Sequence, residues 1–279
     1  MTLRLPISLV AFDLDGTTVE RGTTSMSPVM REAFAAAHDQ GVVVSVATGR
    51  PVGELDFLLG EEWLDYLITV NGSVVRRHVD MGLAFSSPLP AGKAREVIDA
   101  LAPLQPKWQA FFEDESCIEE GTYSYMMERS GHSIDEMRKV LPHVEIVDSI
   151  PSLLEDCNYR GACKLQCTLA DETARQEAYE RLLPLGGLEL ARMGQREVEI
   201  TTAGATKGSA LARLVGLLGL DPSHCVAFGD DTNDLTMAGR VGAFVVVENG
   251  SEAALAVADE ACPSVQEDGV ATWLTAHLG

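Results

Sequence analysis

The stretch SLVAFDLDGTT, Ser8 to Thr18, constrains this chain more than any other, because an apolar run ends abruptly in two carboxylates, a glycine and two hydroxyls. Ser8 to Phe12 is expected to be a short, fully buried strand of the parallel-sheet kind, where both faces are covered and apolar residues run without alternation. Gly16 then breaks the strand. Open α/β sheets bind ligands outside the carboxyl ends of their strands, so a strand finishing in DLDGT delivers Asp13 and Asp15 where chemistry is usually done. Alone, Asp15 and Gly16 would read as an ordinary turn. Matching acids elsewhere decide between the two readings.

The same texture returns along the chain. Ser27 is placed as the N-cap of a helix that starts at Pro28 and stops at Gly41. Val42 to Ala47 is again continuously apolar and β-branched, and it ends in Thr48, Gly49 and Arg50. A third strand, Tyr66 to Val70, ends in Asn71 and Gly72. Strands separated by helical stretches indicate βαβ units, hence a parallel sheet. From about Leu83 paired prolines and acidic loops replace this alternation, and a mixed α+β domain is expected, with helices at Ala91–Leu101 and Asp171–Leu183. Its strands are expected near Gln109–Glu113, Ala162–Leu169 and Leu188–Met193; Gly121 to Val140 stays ambiguous. The first texture resumes at Glu197 with an alternating strand, a helix capped by Thr206, a buried strand from Cys225 to Phe228, and a helix running from the acids that follow to about Arg240. A strand at Ala243 to Val247 and two short helices close the chain. The expected organisation is an α/β, Rossmann-like doubly wound core formed by residues 1–82 and 197–279, with residues 83–196 inserted as an α+β domain.

Charge narrows the function. A formal net charge of −21 with no Lys/Arg cluster argues against nucleic acid as a partner. It also requires any anionic substrate to find local positive charge at its site. No run approaches the ~18 apolar residues of a membrane span, and the N-terminus shows no signal-peptide pattern, so the cytoplasm is the expected compartment and no membrane partner is expected. The six cysteines lack paired CxxC spacing and are read as reduced core residues, and the six histidines are dispersed, which leaves a zinc centre without support.

The matching acids are Asp230, Asp231 and Asp234 in FGDDTNDL, again between an apolar strand and an expected helix. A single carboxylate there would be a helix cap. Three within five positions exceed that need and repel one another unless a cation sits among them, which points to a hard divalent ion, with Mg²⁺ the best fit. Lys207, in the first turn of its helix, stands at the electrostatically wrong end, at a cost of about 0.3–1 kcal/mol. An ammonium and helix amides aimed at one place do form an oxyanion site. Thr48 offers a hydroxyl to a phosphoryl oxygen, and Gly49 lets the backbone come close.

Together DLDGT, TGR, TKG and GDDTND, in that order, resemble the four motifs of the haloacid dehalogenase superfamily and, within it, the Cof-type phosphatases with an inserted C2-type cap. NG at Asn71 and Gly72, EVEI before the lysine and EDGV at Glu267 to Val270 extend the likeness over both chain ends. Thr18, where a leucine is usual, and VVENG at Val246 to Gly250 depart from the pattern without touching a catalytic group. The resemblance implies that Asp13 is the nucleophile taking the phosphoryl group and that Asp15 is the general acid and base, its carbonyl on Mg²⁺. By the same resemblance Asp13, Asp15 and Asp230 are metal residues and Asp234 is either a metal residue or an acid just behind one, while Thr48, Gly49 and Lys207 hold phosphate and Asn233 orients phosphate or nucleophile. The expected activity is Mg²⁺-dependent hydrolysis of a small phosphate ester, a sugar phosphate or a phosphorylated cofactor or precursor, by a monomer or homodimer. A phosphomutase and a noncatalytic sensor of a phosphorylated ligand are the alternatives. Substrate choice would lie in the cap, where Glu113, Tyr123, Tyr125, Lys164, Arg192 and Arg196 are the polar and aromatic candidates.

Overall fold

The apolar run preceding Asp13 forms β1 (Leu9–Phe12), buried at every residue. The computed structural model describes residues 6–131, 133, 143–155 and 161–278. After β1 come α1 (Pro28–Asp39), β2 (Val43–Ala47), β3 (Tyr66–Thr69), β4 (Val74–Arg77) and β5 (Leu83–Ser86). The local rules act as expected in α1: the Ser27 side chain accepts from the Met30 amide, Pro28 opens the first turn, and Gly41 takes φ +82° at the exit.

Next are α2 (Ala91–Leu101), β6 (Lys107–Phe111), β7 (Ser116–Glu119), α3 (Glu120–Ser130), β8 (Val144–Val147), α4 (Ile150–Glu155), β9 (Lys164–Thr168), α5 (Glu172–Leu182), β10 (Leu188–Met193) and β11 (Glu197–Thr202). The chain closes with α6 (Lys207–Leu218), β12 (Cys225–Gly229), β13 (Ala243–Val247), α7 (Glu252–Leu255), β14 (Glu260–Cys262) and α8 (Gly269–His277).

These elements build two units. The first comprises residues 1–50, 55–85 and 206–279 around an eight-stranded sheet ordered β14-β13-β12-β1-β2-β3-β4-β5. Its strands from β14 to β3 are parallel, and β4 returns antiparallel to β3. Leu9, Ala11, Phe244 and Val246 from the sheet pack with Leu211, Leu214 and Val215 from α6. The second unit, residues 51–54 and 86–205, carries a six-stranded sheet ordered β10-β11-β9-β6-β7-β8 and its own core of Trp108, Leu165, Cys167, Val198 and Ile200 packed with residues of α2 and α5. The overall class is α/β with a Rossmann-like parallel sheet.

Two local expectations change. The strand from Glu197 belongs to the six-stranded sheet rather than to the parallel one. A turn through Gly194, at φ +60°, folds β11 back on β10 so that Met193 pairs with Glu197, and Val198 pairs onward with Cys167. The stretch after Asp234 is a single 3₁₀ turn at Leu235–Met237 instead of a helix to Arg240. Ala238 is extended there and Gly239 takes φ +68°, which ends helical hydrogen bonding. β14, too short to show in the sequence, adds an edge strand, and β5 carries the first sheet past residue 82.

Cys117, Cys163, Cys167, Cys225 and Cys262 are buried free thiols; Cys157 lies outside the described residues. Burial pushes the Cys225 thiol up to about 11 and those of Cys167 and Cys262 to about 12. All three therefore stay protonated and unreactive at neutral pH.

Candidate active site

The strand order of the first unit reverses between β1 and β12: the chain leaves β1 toward β2 on one side and reaches β13 from β12 on the other. That is where open α/β sheets bind ligands. Phe12 is in register with Phe228, so Asp13 and Asp230 emerge from adjacent parallel strands at the same end, and the Asp13 amide donates to the Phe228 carbonyl at 3.0 Å.

Lys207 sits between the acids. Its ammonium donates to Asp13 Oδ1 at 2.6 Å and to Asp234 Oδ1 at 2.7 Å, and the residue is 1% exposed. Two glycines let α6 bring it there. A Cβ on Gly208 would lie 1.6 Å from the Thr236 carbonyl oxygen, and one on Gly72, at φ +98°, 2.2 Å from the Thr206 carbonyl oxygen. Thr206 and Ser209 close a capping box at the start of the helix.

Asp234 Oδ2 accepts from the amides of Asp230 and Asp231 at 3.0 and 3.1 Å, folding the acidic loop onto its own carboxylate. This local bond is the cap that the sequence placed on a helix. Asp230 Oδ1 accepts from Thr17 at 3.1 Å, its Oδ2 accepts from Arg21, and Arg21 also reaches Asp231 Oδ2 at 3.1 Å. Gly16, at φ +93°, has no room for a side chain, since a Cβ would stand 2.5 Å from Asp230 Oδ2. Asn249 donates to the Gly16 carbonyl at 2.7 Å, tying the loop after β13 to the loop after β1.

Beside this cluster, Asp15 forms a two-pronged pair with Arg50, Nε to Oδ2 at 2.8 Å and Nη2 to Oδ1 at 2.5 Å; Nη2 also donates to the Thr23 carbonyl at 2.8 Å. Thr48 is buried at the end of β2, and its hydroxyl accepts from the Arg50 amide at 3.2 Å. A Cβ on Gly49 would lie 3.0 Å from Asn71 Oδ1, the same oxygen that accepts from Asn233 Nδ2 at 3.1 Å. The eight residues singled out in the sequence thus fall into two adjoining groups. Arg50 and Asn71 were in view inside TGR and NG without a role, whereas no pattern in the sequence pairs Arg21 with an acid more than two hundred residues away.

The charges are strongly perturbed. Burial is the main cause that pushes the Asp13 carboxyl up to about 8, helped by the charges of Asp234 and Asp230 and opposed by Lys207. Burial works against the Lys207 ammonium, but Asp13 and Asp234 outweigh it and hold the group well above an ordinary lysine. Asp230 is raised by burial and by Asp234. Asp13, Asp230 and Asp234 each present an oxygen within 4.8 Å of the others. Three hard oxygen donors with surplus negative charge suit a divalent cation of the hard class.

Residues 10–274 match the family model of haloacid dehalogenase-like hydrolases, and the chain belongs to that family. It resembles the HMP-PP phosphatase of Enterobacter sp. (strain 638), 27% identical over 86% of this chain and 84% of the relative. It also resembles the 5-amino-6-(5-phospho-D-ribitylamino)uracil phosphatase YwtE of Bacillus subtilis (strain 168), at 26% identity over 95% and 96% of the two chains. A solved sugar phosphatase of subclass IIB of the family shares the fold, with a TM-score of 0.76 at 20% identity over 96% of this chain and 98% of that one. The enzyme class is accordingly that of a phosphoric monoester hydrolase. Among the described residues no helix is long and apolar enough to cross a membrane.

Proposed function

We propose that this chain is a Mg²⁺-dependent phosphatase that hydrolyses a small phosphorylated metabolite through a phosphorylated Asp13. The observation that carries the reading is the meeting of Asp13, Asp230 and Asp234 at the switch point, with Lys207 bonded to two of them.

In this reading Asp13 attacks the substrate phosphorus, the P–O bond to the leaving group breaks, and Asp15 gives its proton to the departing alkoxide. Asp15 then takes a proton from a water that attacks the phosphoaspartate, which releases inorganic phosphate and restores Asp13. Lys207 and the Thr48 hydroxyl, with the Gly49 backbone, hold the phosphoryl oxygens, and Asn233, braced on Asn71, lines the same loop end. Asp13, Asp230 and Asp234 would hold the metal ion together with the Asp15 carbonyl, and when bound the ion supplies the positive charge that lets an anionic ester approach an anionic nucleophile. Arg50 bonds both oxygens of the Asp15 carboxylate, and in this reading that pair opens before Asp15 carries the proton it gives to the leaving group. Related phosphatases act on HMP-PP and on a ribitylaminouracil phosphate, which favours a phosphorylated cofactor precursor or sugar phosphate as the substrate class here.

The test is hydrolysis of para-nitrophenyl phosphate with Mg²⁺, with chelator and with Asp13→Asn. Turnover should require both the ion and the carboxylate, with a loss of at least ~10³-fold on substitution. Activity indifferent to chelator and mutation would refute the mechanism, and an isomerised sugar phosphate without phosphate release would point to a mutase.

A further inference from the structure

Three buried carboxylates repel one another, and in the absence of a metal ion the chain's own bases must answer that repulsion. Lys207 bonds Asp13 and Asp234 from inside the fold, and the second oxygen of Asp234 is occupied by two amides. Asp230 is served differently. Among the described residues its Oδ1 accepts only a neutral hydroxyl, from Thr17, and its charge is met by Arg21. The two partners differ sharply in exposure: the Arg21 side chain is 60% exposed, whereas that of Asp230 is 1% exposed. The guanidinium therefore reaches in from the surface, and the same nitrogen bridges to Asp231, an acid with a side chain 41% exposed that the proposed chemistry does not use.

A divalent ion held by Asp230 meets that guanidinium on the same carboxylate, so two cations compete for one anion. We propose that Arg21 is a displaceable counter-cation that sets the ion concentration at which the site fills, with Asp231 as the tether that keeps the guanidinium nearby once it is displaced. The inference rests on the proposed role of Asp230 as a metal carboxylate. It has a signed consequence. Removing Arg21 raises the free energy of the ion-free cluster while removing a repulsion from the ion-bound one, so metal binding tightens. If Arg21 merely fixed the geometry of Asp230, its removal would weaken binding.

The experiment is calorimetric titration of the full chain with Mg²⁺ alone, comparing wild type, Arg21→Gln and Asp231→Asn, together with the melting temperatures of the ion-free and ion-saturated forms. Arg21→Gln should bind Mg²⁺ roughly three- to tenfold more tightly, the range of one partly exposed ion pair given up. Its ion-free form should melt lower, and its saturated form should match wild type. Asp231→Asn should instead weaken Mg²⁺ binding slightly, because the displaced guanidinium then has no second acid to hold it and a negative charge beside the ion is lost. The advantage of Arg21→Gln should shrink in added KCl, which screens the exposed arginine. Unchanged or weaker Mg²⁺ affinity in Arg21→Gln overturns this proposal alone; a wild-type chain that binds no divalent ion overturns the proposed function, and this inference with it.

Discussion

Lys207 is an ammonium with no access to water, a placement that costs several kcal/mol unless the charge is paired and its protons are bonded. It is paired twice, and that is why one carboxylate too many remains: Asp13 is raised from 3.8 to about 8 by burial and by its acidic neighbours despite the lysine. The ion-free site therefore holds an extra proton near neutrality. Because the folded value lies above the unfolded one, the unfolded chain releases this proton first. Asp13 thus contributes stability that is complete below about pH 4 and is lost as pH rises to about 8. A metal ion needs the carboxylate and must expel the proton. Calorimetric titrations with Mg²⁺ at pH 7 in buffers of different ionisation enthalpy should report about one proton released per ion bound, falling toward zero above pH 9. Mg²⁺ affinity should rise with pH and level off near pH 8. Lys207→Met should remove the affinity of the site for phosphate, and ion-free Asp13 should then rise further, since its one opposing charge is gone.

At the scale of elements, α6 shows how packing overrules propensity. Glycine inside a helix is less favourable than alanine by about 0.8–1.0 kcal/mol, so helix preference alone says that Gly208→Ala should stabilise. The added carbon, however, would stand 1.6 Å from the Thr236 carbonyl, a backbone atom that cannot swing away. Overpacking of this kind costs about 1–3 kcal/mol and wins. Gly208→Ala should lower stability to urea and, by lifting the first turn of α6 from the 3₁₀ turn at Leu235–Met237, withdraw Lys207 and weaken phosphate inhibition; normal phosphate inhibition in a folded variant would contradict this. The same contrast explains what the sequence could and could not reveal. β1, β2 and α1 were legible because a continuous apolar run and the Ser27–Pro28 cap are local signals. β11 alternates apolar and polar residues, and nothing in Glu197 to Thr202 says which sheet it joins; the Gly194 turn decides. The expected helix after Asp234 failed because Ala238 is extended and Gly239 turns to positive φ, so the 3₁₀ turn at Leu235–Met237 does not propagate. Asp13, Asp230, Asp234 and Lys207 were recognisable by motif, but their assembly depends on β1 and β12 being neighbours, and the Arg21 contact depends on a loop conformation that residue types do not encode.

For the whole molecule, each unit has a hydrophobic core of its own: Trp108, Leu165 and Ile200 belong to the six-stranded unit, and Leu9, Leu211 and Phe244 to the parallel one. Every residue proposed to hold the metal or phosphate lies in the parallel unit. An ion that binds only the folded form stabilises by about 2.7 kcal/mol at a hundred times its dissociation constant, and the gain applies to the cooperative unit that contains the site. Heating with saturating Mg²⁺ should therefore raise the transition of the parallel unit by roughly 5–10 °C and leave that of the six-stranded unit in place. The tryptophans make the two separable by fluorescence, because Trp63 and Trp273 lie in the parallel unit and Trp108 in the other. In a Trp63→Phe, Trp273→Phe variant the remaining signal from Trp108 should melt at a temperature independent of Mg²⁺, while a Trp108→Phe variant should show the full shift. If Trp108 followed the ion as closely as the other two, the units would unfold as one, and two separate cores would not be two separate cooperative blocks.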